Sequence, residues 1–132
     1  MKKMFSPIPE RAENAASAVV ESAFIVHSTL GPGLIESVYK ICLCHELRKR
    51  GIPFKSQMVL PVTYDGVELD AGLRLDLVVD ECVIVELKAV EKLNPLFEAQ
   101  LLTYMKLTGM RLGLLVNFNV PLIKDGIKRI VL

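Results

Sequence analysis

The stretch Arg74-Leu-Asp-Leu-Val-Val-Asp-Glu-Cys-Val-Ile-Val-Glu-Leu-Lys88 constrains the fold of this chain more than any other. Two apolar, strand-like runs carry Asp76, Glu86 and Lys88 where a core would take hydrophobes. Ionisable groups on half-buried strands are costly unless they pair or hold a cation, so their convergence reads as a site. Side chains alternate along a strand, which expects Leu73, Leu75, Leu77 and Val79 on one face and Arg74, Asp76 and Val78 on the other. Glu86 and Lys88 share a face of the next strand. Asp76 meets Glu86 only if Val79 lies opposite Val83. That requires a three-residue Asp80-Glu81-Cys82 loop, a bulge or splayed strands, because a two-residue Asp80-Glu81 turn would put the carboxylates on opposite faces.

Two carboxylates from neighbouring strands suit Mg²⁺ or Mn²⁺, hard cations that accept a few oxygen ligands and keep several waters. Such an ion polarises a phosphoryl oxygen and acidifies bound water. Lys88, pointing the same way, can orient that water or stabilise developing negative charge. On spacing alone, a salt-bridged Glu86–Lys88 pair on a solvated face would look the same.

At 132 residues and 52% hydrophobic content the chain is expected to form one domain, residues 12–132 behind a lead of residues 1–11. No apolar run reaches the roughly 18 residues of a membrane span, and the start lacks a signal-peptide core. The expectation is a soluble cytoplasmic protein. Cys42, Cys44 and Cys82 have no metal-ligand or disulfide pattern and read as reduced thiols. Net charge is +1, but residues 64–98 hold nine acids against three bases, while 45–55 and 101–132 are basic. An acidic centre with basic margins suits a metal site flanked by phosphate-binding segments, and equally suits ordinary solvated faces.

Helical spacing predicts a first helix over 10–30, ended by Gly31-Pro32-Gly33. A second is expected over about 34–50, with Leu34, Val38, Ile41, Cys42 and His45 on its packed stripe. Glu36 in its first turn is a helix-dipole partner or a ligand. Period-two patterning follows: a strand over 57–64 with Pro61 at an edge or bulge, an Asp65-Gly66 turn, a short return strand over 67–70, then strands over 73–79 and 83–89. Asn94-Pro95 opens a third helix that Gly109 stops. The apolar run 111–118 reads as a strand covered on both faces, 117–126 as a polar loop and 127–132 as a last strand. The fold class is α/β (α+β), with a mixed central sheet flanked by helices.

Gln100 and Tyr104, four apart on the third helix, face one way and can hold a phosphate or a metal-bound water; surface packing is the plainer alternative. Tyr39, one turn from Glu36, orients that carboxylate, touches substrate or is simply packed. Lys124, Lys128 and Arg129 are candidates for nucleic-acid backbone contacts or for a solvated loop. His27 and His45 read as helix-packing residues.

Asp76, Glu86-Leu-Lys88 and Gln100-x-x-x-Tyr104, behind a helix bearing Glu36, resemble the PD-(D/E)XK nuclease superfamily, especially its exonuclease-like branches with a QxxxY motif. Gly33-Leu-Ile-Glu36-Ser-Val-Tyr39 is similar to the signature of the small bacterial GxxExxY proteins. The resemblance covers roughly residues 12–132 and takes in Leu30-Gly-Pro-Gly33, Val85-Glu-Leu-Lys-Ala89, Ala99-Gln-Leu-Leu-Thr-Tyr104 and Asn117-Phe118 with Lys124-Asp-Gly-Ile-Lys128. It implies a restriction-endonuclease-like αβββαβ core and Mg²⁺- or Mn²⁺-dependent phosphodiester hydrolysis on nucleic acid, DNA ahead of RNA. Asp76, Glu86 and Glu36 would be metal ligands, Lys88 the catalytic lysine, and Gln100 and Tyr104 auxiliary groups. Leu75 stands where the superfamily's name has proline, a position often replaced there. The alternative is a non-catalytic module on the same fold that binds nucleic acid or protein. A homodimer is compatible with either.

Overall fold

The computed structural model describes residues 6–69 and 72–132. Two helices come first, α1 (Glu10–Leu30) and α2 (Glu36–Lys49). Strands β1 (Phe54–Val59), β2 (Val62–Tyr64), β3 (Val67–Leu69), β4 (Arg74–Val79) and β5 (Val83–Lys88) follow, then α3 (Pro95–Thr108), β6 (Leu112–Asn117), a 3₁₀ turn (Ile123–Gly126) and β7 (Ile127–Val131). The main sheet has the order β1-β4-β5-β6-β7, with β5 and β6 parallel and the other neighbours antiparallel. This is the expected mixed α+β architecture, its parallel pair joined through α3 as parallel strands require.

Helices cover both faces. Val19, Ala23, Val26, Tyr39, Leu43 and Leu47 of α1 and α2 share a core with Leu77, Val79, Val83, Val85 and Leu87. On the other face Leu101, Tyr104 and Met105 of α3 pack with Leu75, Val78, Ile84 and Leu115. Every residue of β6 is buried, which explains its unbroken apolar run. Asn94 caps α3 as expected, its side-chain oxygen accepting from the Leu96 amide at 2.9 Å, and the helix stops at the left-handed Gly109.

Several expectations change. The predicted strand over 57–64 is two elements. The chain breaks at Leu60-Pro61, and β2 leaves the main sheet to form a separate ribbon with β3. Pro61 lacks the amide a continuing strand would use. Asp70, the expected end of the return strand, lies outside the described residues. The buried side of α2 is Tyr39, Leu43, Cys44, Glu46 and Leu47, not the stripe of Leu34, Ile41 and His45. Ile41 is 68% exposed, and His45 is exposed as well. Two apolar stripes compete on this helix, and the one with Tyr39, Leu43 and Leu47 offers more volume to the sheet.

Strict alternation along β4 also fails. Leu75 packs with Val78 on the α3 side, while Leu77 and Val79 pack on the α1–α2 side. The switch falls at Asp76, where the β1–β4 register passes from Ser56↔Leu77 to Met58↔Leu75 without a rung between Gln57 and Asp76. Finally, the expected polar loop 117–126 is partly packed: Asn117, Phe118, Ile123 and Gly126 are buried, while Pro121, Leu122, Lys124 and Asp125 stay exposed. His27 Nε2 donates to Val120 O at 2.7 Å and joins this segment to α1.

A Cβ at Gly126 would lie 2.1 Å from the Asn117 carbonyl oxygen, a backbone atom with little freedom to yield. Gly126→Ala should therefore lower stability by about 1–3 kcal/mol in urea denaturation, as overpacking does.

Candidate active site at the β4–β5 rung

Val79 pairs with Val83, Val78 with Ile84 and Leu77 with Val85, so the turn is the three-residue Asp80-Glu81-Cys82 loop. Asp80 and Glu81 both adopt positive φ, 50° and 59°, and Arg11 of α1 grips the Asp80 carboxylate with two bonds of 2.9 Å. This odd loop brings Asp76 opposite Glu86. There the backbone ladder stops and side chains replace it. The Asp76 amide donates to Glu86 Oε1 at 3.2 Å, and the Leu87 amide donates to Asp76 Oδ2 at 3.0 Å. The strands have splayed by one rung, with a carboxylate inserted from each side.

Glu86 is only 6% exposed. Burial first, and the Asp76 charge second, push its pKa up to about 8, with Lys88 and the Asp76 amide opposing. Tyr104 approaches from α3, where burial and then the charges of Glu86 and Asp76 raise its pKa. Glu36 sits at the surface in the first turn of α2, yet the protein packed against its carboxyl, and then the Asp76 charge, raise its pKa; Lys88 and Lys40 act the other way. Groups from α2, β4, β5 and α3 therefore share one electrostatic neighbourhood.

Lys88 makes no Glu86–Lys88 salt bridge. Its Nζ lies 4.3 Å from the centroid of the Phe97 ring in the first turn of α3, a cation–π seat that leaves the ammonium without an anionic clamp. Gln100 is exposed one turn before Tyr104. Lys128 pairs with Glu98 at 3.3 Å. Lys124 instead lines a surface cavity of about 420 Å³ with Phe24, His27 and Pro32, apart from the carboxylates.

Tyr39 is fully buried and stacks on Phe118, centroids 4.6 Å apart. Its hydroxyl donates to Gly31 O at 2.6 Å and accepts from the Leu34 amide at 3.1 Å. Of the readings open to Tyr39, packing is the one these contacts describe: the ring ties the α1–α2 connection to the end of β6 and so places the turn that bears Glu36. Gly33, at φ 100°, supplies a conformation that side chains rarely adopt. The G-x-x-E-x-x-Y spacing thus has a structural reason.

Phe97, Lys40 and Asn117 were not singled out from the residues as parts of the site. Asn117 is buried, holds both the amide and the carbonyl of Val90, and anchors the segment after Lys88. Its only sequence signal was the Asn117-Phe118 pair within the resemblance. Phe97 had none, because its role depends on how α3 meets β5.

Among the described residues, no group of three or more His, Cys, Asp or Glu stands ready to hold a metal ion. The Asp76–Glu86 pair nevertheless has the donor chemistry a hard divalent cation takes, since Mg²⁺ needs only one or two carboxylates beside its waters. Burial and the Asp76 charge raise the Glu86 pKa, and a cation between the two carboxylates would oppose both effects. The fit is to a two-carboxylate site, with Glu36 nearby rather than part of a preformed cage.

Two outcomes follow. Tyr39→Phe removes two hydrogen bonds and should cost about 1–3 kcal/mol in denaturation. For Glu86 the folded pKa exceeds the ordinary 4.5, so its protonated form favours folding. That contribution is complete below pH 4.5 and is lost as pH rises through about 8. Metal-free wild type should therefore lose stability relative to Glu86→Gln between those limits, and millimolar Mg²⁺ should restore it in wild type alone. Parallel pH–stability curves for the two proteins would refute this.

Among known proteins, no curated protein and no solved structure gives a significant match. A profile of the PD-(D/E)XK nuclease superfamily matches residues 13–130, across both helical layers and the sheet, with the Asp76–Glu86 rung inside it. No helix of the described residues is long and apolar enough to cross a membrane. The chain belongs to the PD-(D/E)XK nuclease superfamily.

Proposed function

We propose that this protein is a divalent-metal-dependent phosphodiesterase that hydrolyses nucleic acid, with DNA the first substrate to test. The observation that carries the reading is the rung at which two carboxylates replace backbone pairing, with Glu86 buried beside Asp76. A structural ion pair would leave Glu86 beside a cationic side chain, whereas here the nearest lysine rests on an aromatic ring.

Asp76 and Glu86 would hold Mg²⁺ or Mn²⁺, with Glu36 reaching it through water. The ion would supply Lewis acidity toward a phosphoryl oxygen and a more acidic water. Lys88 provides the mobile positive charge for the oxygens that gain charge as phosphorus is attacked. Its seat on Phe97 keeps the ammonium within electrostatic reach of Glu36 and Glu86. The Tyr104 hydroxyl, kept neutral by burial first and by the Glu86 and Asp76 charges second, remains a hydrogen-bond donor. Gln100, exposed beside it, offers an amide to a phosphate. Lys40, one turn beyond Glu36, adds positive charge beside that carboxylate.

Single-stranded, duplex and branched DNA and RNA incubated with the protein and Mg²⁺ or Mn²⁺ test the reading. Asp76→Ala should abolish cleavage, and Lys88→Ala should slow it on the order of 100-fold or more. Cleavage indifferent to both substitutions overturns the assignment. Metal binding without cleavage of any substrate would favour a non-catalytic nucleic-acid- or protein-binding module on this fold.

A further inference from the structure

Four non-glycine residues among those described adopt positive φ. Asp65, Asp80 and Glu81 do so in turns, where such backbone is ordinary. Gln57 does so inside β1, at φ 55°. A left-handed residue within a strand is disfavoured for any side chain bearing a Cβ, and glutamine has no short polar group to offset it locally. Strain of this kind persists where the surroundings impose it, and it gathers at sites.

Its position is specific. Gln57 stands opposite Asp76 in a register that is regular on both sides, Ser56↔Leu77 before it and Met58↔Leu75 after it. The missing rung is also where β4 changes the face it buries. From this kinked position Gln57 Nε2 donates to Asp76 Oδ1 at 3.4 Å, while Asp76 Oδ2 accepts from the Leu87 amide. The Asp76 carboxylate is thus held from β1 on one side and β5 on the other. Gln57 is exposed, so its own side chain is not drawn into the core at the kink.

We propose that Gln57 is a positioning residue for the metal-binding carboxylates: its left-handed backbone opens the β1–β4 ladder at Asp76, and its amide fixes the orientation in which Asp76 faces a divalent cation. This rests on the reading of Asp76 and Glu86 as metal ligands. The amide competes little with the ion, since it donates to one carboxylate oxygen and leaves lone pairs on both. Residues that orient a ligand in this way govern affinity without touching the metal.

The kink makes the test discriminating. Gln57→Ala deletes the amide and keeps the strained backbone; Gln57→Gly deletes the amide and relieves the strain. Mn²⁺ affinity by calorimetry should fall about 10-fold or more in both, although Gln57→Gly should melt no lower than wild type, a combination that loss of structure cannot produce. In metal-free wild type, the Gln57 side-chain amide resonances should be displaced from their free position and should return to it in Asp76→Ala. Wild-type affinity in Gln57→Gly, or free-position resonances in wild type, overturns the proposal while leaving Asp76 and Glu86 as ligands. Absence of Mn²⁺ binding to wild type overturns both readings together.

Discussion

Two carboxylates occupy the place of a backbone rung between β4 and β5, and much of the molecule can be understood as support for that substitution. An antiparallel ladder would satisfy its own amides. Here the Asp76 and Leu87 amides are satisfied by Glu86 and Asp76 instead, so neither side chain can be removed without leaving a donor unpaired. The arrangement is held between competing forces. Burial and mutual repulsion drive Glu86 toward its neutral form, while the Asp76 amide that donates to it favours the carboxylate. A cation would reconcile the two, which is why the same geometry that looks uncomfortable as architecture reads well as a ligand set.

The supports come from three directions. From the α1–α2 side, the buried Tyr39 ring stacks on Phe118 and its hydroxyl holds the Gly31–Leu34 connection, fixing the turn from which Glu36 emerges. From the α3 side, Tyr104 and Phe97 approach Glu86 and Lys88. α3 seats closely over Gly113 in β6, where a Cβ would lie 2.7 Å from Met105 Sδ. From β6 itself, Phe118 N donates to Lys88 O at 2.9 Å and Asn117 grips Val90. Rigid strands and helix starts, not loops, therefore present the charged groups, the mode of support that gives a site its precision.

Periodicity found the helices because their apolar spacing and stops are local. It also found β4, β5 and β6, whose composition is unmistakable. The requirement that Asp76 and Glu86 meet left a three-residue loop, a bulge or splayed strands, and the register contains the first of these, the Asp80–Cys82 loop. Three readings failed for one reason: each depended on what lay across from the residue. The packed side of α2 is chosen by the sheet beneath it. The fate of residues 60–69 is chosen by whether β1 continues along β4 or breaks at Pro61. The face of Leu75 is chosen by a kink that starts on another strand, at Gln57.

The chain's own residues determined the order of the helices and of β4 to β7, the condition on the Asp80–Cys82 turn, and the candidate set Glu36, Asp76, Glu86, Lys88 and Tyr104, because strand alternation and helical spacing act over a few residues. Tertiary structure alone decided that the carboxylates replace a backbone rung, that Lys88 rests on Phe97, that Tyr39 stacks on Phe118, and that Gln57 bends toward Asp76. Those outcomes come from residues between nine and about eighty apart in sequence. Only the packing of the helices on the sheet brings them within reach, and nothing in local periodicity records which distant partner will be met.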